Sequence, residues 1–520
     1  MKKYCFFLFI SIHCSMYSLS AQQDGTLDAT FNNGGIVTTP MGTANAQCTA
    51  MAIQADGKIL LTGSAHNGNN NDFGIIRYLE DGTLDTDFNM TGKLQIDFNG
   101  EEDFPNGIVV RPSDKKIIVG GYTFNGSGFD FAIAQYLEDG TPDPAFGNNG
   151  KVTSPLGTTT FCEALALQDD GKIVAAGYSF QSNNEFVVIR YLEDGTPDDT
   201  FSDDGFIITP VGNSSAVVRC MLMQPDDKIL VAGQALNELT FRWEAAIARY
   251  LPNGTLDETF NNGGIVTTSA GNQDVTITAI ARDTDGKIIL GGFIGTSPSN
   301  NNFTLIRYMP DGQLDSVFGD NGIFITPFTT NNNLANALLI QPDHKIIAAG
   351  TATINGLEQF AIARYDVNGI PDPSFGNDGK VNTEIGNFAS ITGLTFDRQG
   401  NIVATGSSFN GTIFQFTASR YLNDLETGMN VLPPITKHIA VHPNPVVETF
   451  QLNFSLEKDE TLTIQLLDLL GRPLVTYLDN VKTELGDHAL KYALPATLPV
   501  GNYILCLSSS NGVSSIQISH

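Results

Sequence analysis

Acidic side chains at fixed spacing are the first residues of this chain with chemistry to offer. The phrase Asp-Gly-Thr-x-Asp-x-x-Phe, as in Asp81–Phe88, sets oxygen atoms at alternating positions, a pattern with a superficial likeness to a calcium loop. A helix-loop-helix calcium loop wants Gly at position six and Glu at twelve, whereas here Gly82 is second and Gly92 twelfth. The first Asp becomes Asn253 and Asn368 in other copies, keeping the turn preference and losing the charge. The second precedes proline in Asp143-Pro144 and Asp372-Pro373, as an N-cap precedes the first residue of a helical turn. The phrase is therefore read as a capped turn whose Phe plugs a core, and no metal site or cofactor is assigned.

Catalytic constellations are sparse. No His-Glu-x-x-His, Gly-x-Ser-x-Gly, phosphate loop or Cys-x-x-Cys occurs, and His66 and His344 make no metal pair by spacing. Glu101-Glu102-Asp103, between the first and second units, is the one unique acid cluster near the variable face. A carboxylate-pair hydrolase could use it, but the reading preferred here is a solvated acidic loop. The single tryptophan, Trp243, stands between Arg242 and Glu244. An exposed Trp in that setting could stack on a sugar or aromatic ligand, or pack at a rim, and both readings stay open. No catalytic residue is named; the candidate ligand-binding residues are Trp243, Arg242 and Glu244.

These residues hang on a repeat. A turn-then-strand of the type Gln-Pro-Asp-Gly-Lys-Ile-hydrophobic-x-x-Gly begins at Gln54, Arg111, Gln168, Gln224, Asp283, Gln341 and Asp397. A strand ending Arg-Tyr follows each, with tyrosines at 78, 136, 191, 250, 308, 365 and 421; Gln135 is the one replacement for the Arg. A drifting period of 55 to 59 residues means one supersecondary unit repeated, with insertions taken up in loops. In the third copy the strands are read as Ala164–Leu167, Lys172–Gly177, Phe186–Tyr191 and Phe206–Thr209, with Asp-Gly hairpin signals between them. Four-strand antiparallel repeats arranged radially are β-propeller blades.

The ends of the repeat predict closure. Asp24–Thr39 is the back of a unit without its front, and the seventh unit lacks its fourth strand after Tyr421. Gly35–Thr39 is expected to pair with Phe414–Tyr421, giving an all-β, seven-bladed propeller over residues 22–423 with no free edge at the ends. A residue type present in every unit cannot mark one asymmetric centre. The Arg-Tyr pairs are thus expected to build the ring, Arg meeting a turn carboxylate and Tyr pairing its hydroxyl between blades. Function should lie where units differ, in Asn67–Asn71, Leu236–Glu244, Ser297–Asn302 and Thr329–Asn333, which open on one face.

A net charge of -28 excludes nucleic acid as a natural partner. Hydrophobic content of 41% is ample for a folded core, and 52 glycines suit many tight turns. Lys2-Lys3, the apolar run Tyr4–Ile12 and the small residues near Ser18–Ala21 read as a signal peptide over residues 1–21. No other segment is long and apolar enough to cross a membrane. Cys48, Cys162, Cys220 and Cys506 remain after it. They are expected as buried free thiols, because Cys48 and Cys162 fall in non-adjacent units.

Residues 424–437, with Pro433-Pro434, read as a stiff linker, and 438–520 as a small β-sandwich of about seven strands. The tail carries His442-Pro443-Asn444-Pro445, then Leu467–Arg472 with Gly471-Arg472, then Leu498–Tyr503 with Gly501 and Tyr503. In these motifs it resembles the type A C-terminal sorting domain of the type IX secretion system. Such domains commonly end in a lysine-bearing strand, whereas this chain ends Ser515–His520. The resemblance implies that the tail is read by the type IX machinery and that the cargo reaches the cell surface or medium through the periplasm. Residues 24 to 421 resemble delta-60 repeats, a family that implies no activity. The expectation is an exported binding module for a polysaccharide or protein ligand; the alternative is a glycan-active hydrolase or lyase with its site on the variable face.

Overall fold

In a computed structural model, residues 24–297, 300–423, 436–444, 446–456, 458–467, 473–495, 498–499, 501–509 and 512–520 are described. The signal-peptide reading of 1–21 and most of the linker lie outside them. The chain forms two compact units that divide between residues 425 and 426.

The first unit is all β. Its first sheet, Ala46–Ile53, Ile59–His66, Asn71–Tyr78 and Lys93–Ile96, is a four-stranded antiparallel meander. Four more of the same order follow: one from Asp103–Val110 to Lys151–Ser154, a third from Thr159–Leu167 to Phe206–Thr209, a fourth from Ala216–Met223 to Ile265–Thr268 and a fifth from Asp274–Arg282 to Ile323–Thr326. An eight-stranded sheet joins the set Asn333–Ile340 to Lys380–Thr383 with Phe388–Phe396, Ile402–Phe409 and Phe414–Tyr421 through one parallel bridge, Glu358 to Phe388. Ile36–Thr39 completes it, in register Ile36 to Ser419 and Thr39 to Phe416, so the expected pairing of the two ends is present.

Three of the four strands expected in the third sheet have different limits, the third of them starting at Asn184 and not Phe186. In the third sheet the first strand starts at Thr159, not Ala164, and the second runs Ile173–Phe180, not Lys172–Gly177. The cause is a bulge between Cys162 and Ala164, which recurs in all seven repeats and hides the period-two pattern. It also explains the repeated second-strand glycine. A Cβ on Gly63 would run into the carbonyl oxygen of Gln47, and one on Gly177 into that of Phe161.

Core packing lies between neighbouring sheets. Phe73, Ile75 and Phe88 of the first meet Ile117, Val119 and Tyr136 of the second. Phe31, Val37 and Phe416 of the last set meet Cys48, Ile59 and Tyr78 of the first in the same way. Because both faces of each sheet are covered, Phe73–Tyr78 is buried without alternation.

The repeated polar residues join these sheets. Arg77 donates from Nε to Asp85 at 2.7 Å and from Nη1 to the Glu138 carbonyl in the next sheet's turn, and lies 4.6 Å over the Phe88 ring. The same bonds recur from Arg190 to Asp198 and Pro252, from Arg249 to Asp257 and Pro310, and from Arg420 to Asp28 and Glu80. Burial would raise the Asp198 carboxyl, but the Thr200 hydroxyl and amide and the Arg190 charge outweigh it and hold it at about 2. The tyrosine hydroxyls reach the preceding sheet's short strand: Tyr78 to Thr39, Tyr191 to Ser154, Tyr250 to Thr209 and Tyr421 to Thr383. Arg364, fully buried, binds Asp24 and Asn423 at 2.8 Å each, clasping the two ends of the repeat region.

Cys48, Cys162, Cys220 and Cys506 are free and buried, and burial pushes the Cys48 thiol up to about 12. No helix among the described residues is long and apolar enough to cross a membrane.

The second unit holds a three-stranded sheet (Thr436–His442, Thr449–Leu456, Gly486–Ala493) and a four-stranded one (Pro473–Thr483, Glu460–Leu467, Asn502–Ser509, Gly512–Ser519). Phe450, Leu452 and Phe454 of one share a core with Ile464, Leu505 and Leu507 of the other. His442, Pro443, Asn444, Gly501 and Tyr503 lie among the described residues; Pro445, Gly471 and Arg472 lie outside them. The Tyr503 hydroxyl donates to the Pro499 carbonyl at 2.6 Å.

Candidate functional site

With the repeated Arg, Tyr, Asp and Phe engaged between sheets, the free chemistry sits where the sheets depart from one another. The hairpin of the fourth sheet carries the chain's one tryptophan. Asn237 accepts the amides of Leu239 and Thr240 on Oδ1, an Asx turn that closes the loop over residues 238–241. The strands on either side therefore extend to Asn237 and from Arg242.

Trp243 is accordingly a strand residue paired with Leu236 and half-buried, not the exposed loop residue expected. Its amide donates to Asp274 Oδ1 at 3.0 Å, while Arg242 Nη1 meets Asp274 Oδ2 at 3.1 Å, tying the strand edge to the fifth sheet. Glu244 is buried and accepts from Asn237 Nδ2 at 2.8 Å. A cavity of about 320 Å³ opens beside it, lined by Gly212, Asn213, Leu236, Asn237, Leu239, Glu244 and Thr267 among others. Arg242 and Trp243 do not line that cavity, so the three sequence candidates share a strand without converging on one space.

Sequence reasoning missed the loop's apolar tip. Leu239 is 92% exposed and Phe241 78%, two large apolar side chains carried on one four-residue turn. The signal was present as two apolar residues in a position where other units place Asn and Gly. Met90, Val317 and Val447 are comparably exposed elsewhere, but singly.

The acid cluster also differs from expectation. Glu101 is exposed and Glu102 accepts from Asn71 Nδ2 at 2.8 Å, but Asp103 is wholly buried, because it opens the first strand of the second sheet opposite Thr123. A solvated loop is thus the wrong description of Asp103. His66 accepts an amide from Gly68, and His344 faces Thr284 at an exposed turn beside Asp283 and Asp285. A larger cavity, about 900 Å³, lies among the repeated turns of the first three sheets, lined by Arg111, Pro112, Gln168 and Asp169.

Six segments, residues 54–88, 113–146, 168–201, 224–260, 284–318 and 341–375, match the family model described as a domain of unknown function, DUF5122, β-propeller. No curated protein matches the chain. Similar solved structures include a virginiamycin B lyase from Staphylococcus aureus, at 13% identity and TM-score 0.43, covering 74% of this chain and 98% of that one. A protein of unknown function from Dyadobacter fermentans shares 9% at TM-score 0.38, over 74% and 97% of the two chains. An ulvan lyase shares 10% at TM-score 0.45, over 78% and 100%. The repeats and the sheets they form make this a β-propeller-like repeat protein. Likeness at these identities carries no inference about substrate.

Proposed function

We propose that residues 22–423 form a seven-bladed propeller closed by the N-terminal strand, and that it works outside the cell as a binding module for a polysaccharide or protein ligand. The pairing of Ile36–Thr39 with Phe414–Tyr421 and the clasp of Arg364 on Asp24 and Asn423 support the blade count and the closure. One observation carries the binding role: two large apolar side chains, Leu239 and Phe241, are exposed together on the fourth sheet's hairpin next to the Glu244 cavity, with Trp243 on the strand that follows. A single compact ligand needs distinct groups from different directions, which the repeated turns do not offer. Screening the purified chain against cell-surface polysaccharides is expected to give saturable retention with no new chain ends. Steady release of cleaved product would instead make it a glycan-active enzyme.

Residues 438–520, as a β-sandwich, are proposed to be the export address read by the type IX machinery, with residues 1–21 directing passage to the periplasm and the cargo ending on the outer-membrane surface or in the medium. The three ordered motifs around His442, Gly471 and Tyr503 support this. A chain ending at residue 437 is expected to accumulate in the periplasm with its propeller folded. Normal surface delivery of that chain contradicts the assignment.

A further inference from the structure

Asp72, Asp97 and Asp103 meet at the seam between the first and second sheets, each offering a carboxylate oxygen within 4.8 Å of the others. Asp72 sits on the third strand of the first sheet, Asp97 follows its fourth, and Asp103 opens the second sheet. All three are held in place: Asp72 Oδ2 accepts from Asn67 Nδ2 at 3.0 Å and Gln95 Nε2 at 2.9 Å, Asp97 Oδ1 accepts the Gly100 amide at 2.5 Å, and Asp103 Oδ2 accepts the Phe98 amide at 2.8 Å. What remains is unsatisfied. Asp72 is 4% exposed and Asp103 0%, and Oδ1 of each is buried with no hydrogen-bond partner. Among the described residues no ion pair reaches any of the three.

We propose that these three carboxylates form a binding site for a calcium ion. An oxygen-only donor set selects a hard cation. The three carboxylates come from separate elements, and calcium's adaptable shell of six to eight oxygens accepts such irregularly placed donors more readily than the strict octahedron of magnesium. The fold does not demand these acids. Asp97 stands where four other units have Pro40, Pro155, Pro210 and Pro327 and two have Ser269 and Glu384; Asp103 stands where they have Ala46, Thr160, Ala216, Val275, Asn333 and Ala389, so no other unit pairs an acid at both positions. Neither position belongs to the calcium-like repeated phrase set aside above.

The test is thermal unfolding of the full chain, stripped with a chelator and titrated with calcium chloride or magnesium chloride near neutral pH. Calcium is expected to raise the melting temperature saturably, by roughly 2 °C or more. Asp97→Asn and Asp103→Asn are each expected to weaken the apparent calcium affinity at least about tenfold. Asp97 is exposed, so its variant tests binding without risk to the core. No response to calcium in the parent, or an undiminished response in either variant, overturns the site. An equal response to magnesium overturns the assignment of the ion.

Discussion

Removal of residues 24–40 is expected to abolish the folded monomer. The deletion strips Ile36–Thr39 from Phe414–Tyr421 and leaves that strand as an open edge, a template for association with other chains. It also removes Asp28, which holds Arg420 at 2.8 Å, Thr39, which accepts from Tyr78, and the buried ring of Phe31. An abandoned buried guanidinium costs about 3–5 kcal/mol and a lost Phe side chain about 1.5–3 kcal/mol. Together these approach the roughly 5–15 kcal/mol margin of a typical domain. Size-exclusion chromatography and thermal melting are the measurements. Aggregation or a collapse of the melting temperature is the expected result, and an unchanged melt contradicts closure by this strand.

The second large effect is expected at an inverted pair. Arg111 stands where four other units have Gln54, Gln168, Gln224 and Gln341 and two have Asp283 and Asp397, and Gln135 stands where six units have Arg. The inversion is compensating. Arg111 donates from Nη2 to Gln135 Oε1 at 3.1 Å, and Gln135 Nε2 donates to Asp143 at 2.7 Å, so one guanidinium and one amide still share the buried pocket. Gln135→Arg alone puts two guanidinium groups there and is expected to cost about 2–4 kcal/mol in denaturant unfolding. Adding Arg111→Gln restores the arrangement of the other units and should recover most of that loss, a coupling of about 1–3 kcal/mol. A double variant whose loss equals the sum of the two single losses would show that the two positions act independently.

The sheets were legible because the same turn, strand and Arg-Tyr signals recur, and because Asp24–Thr39 supplies the strand missing after Tyr421. Strand limits were less legible, since the bulge at Cys162 interrupts alternation. Trp243 was misplaced for a local reason: the Asn237 side chain closes a four-residue turn, which draws Arg242 and Trp243 into the strand. Asp72 and Asp103 are far apart in sequence and on different sheets, so no motif joins them. Comparing units position by position could have shown that no other unit has an acid at both the Asp97 and the Asp103 positions. That comparison still lacks the burial that leaves their oxygens unsatisfied.

Ligand recognition on the fourth sheet's hairpin has a native reporter, because Trp243 is the chain's one tryptophan. The decisive measurement is its fluorescence during titration with a polysaccharide that the protein retains, repeated as a binding assay on Trp243→Ala. The expected result is a saturable change in emission, with the substitution weakening binding by about 1–2 kcal/mol and leaving the melting temperature nearly unchanged. Emission that stays constant at saturation, with Trp243→Ala binding as the parent does but melting lower, would make Trp243 a packing residue and place recognition elsewhere.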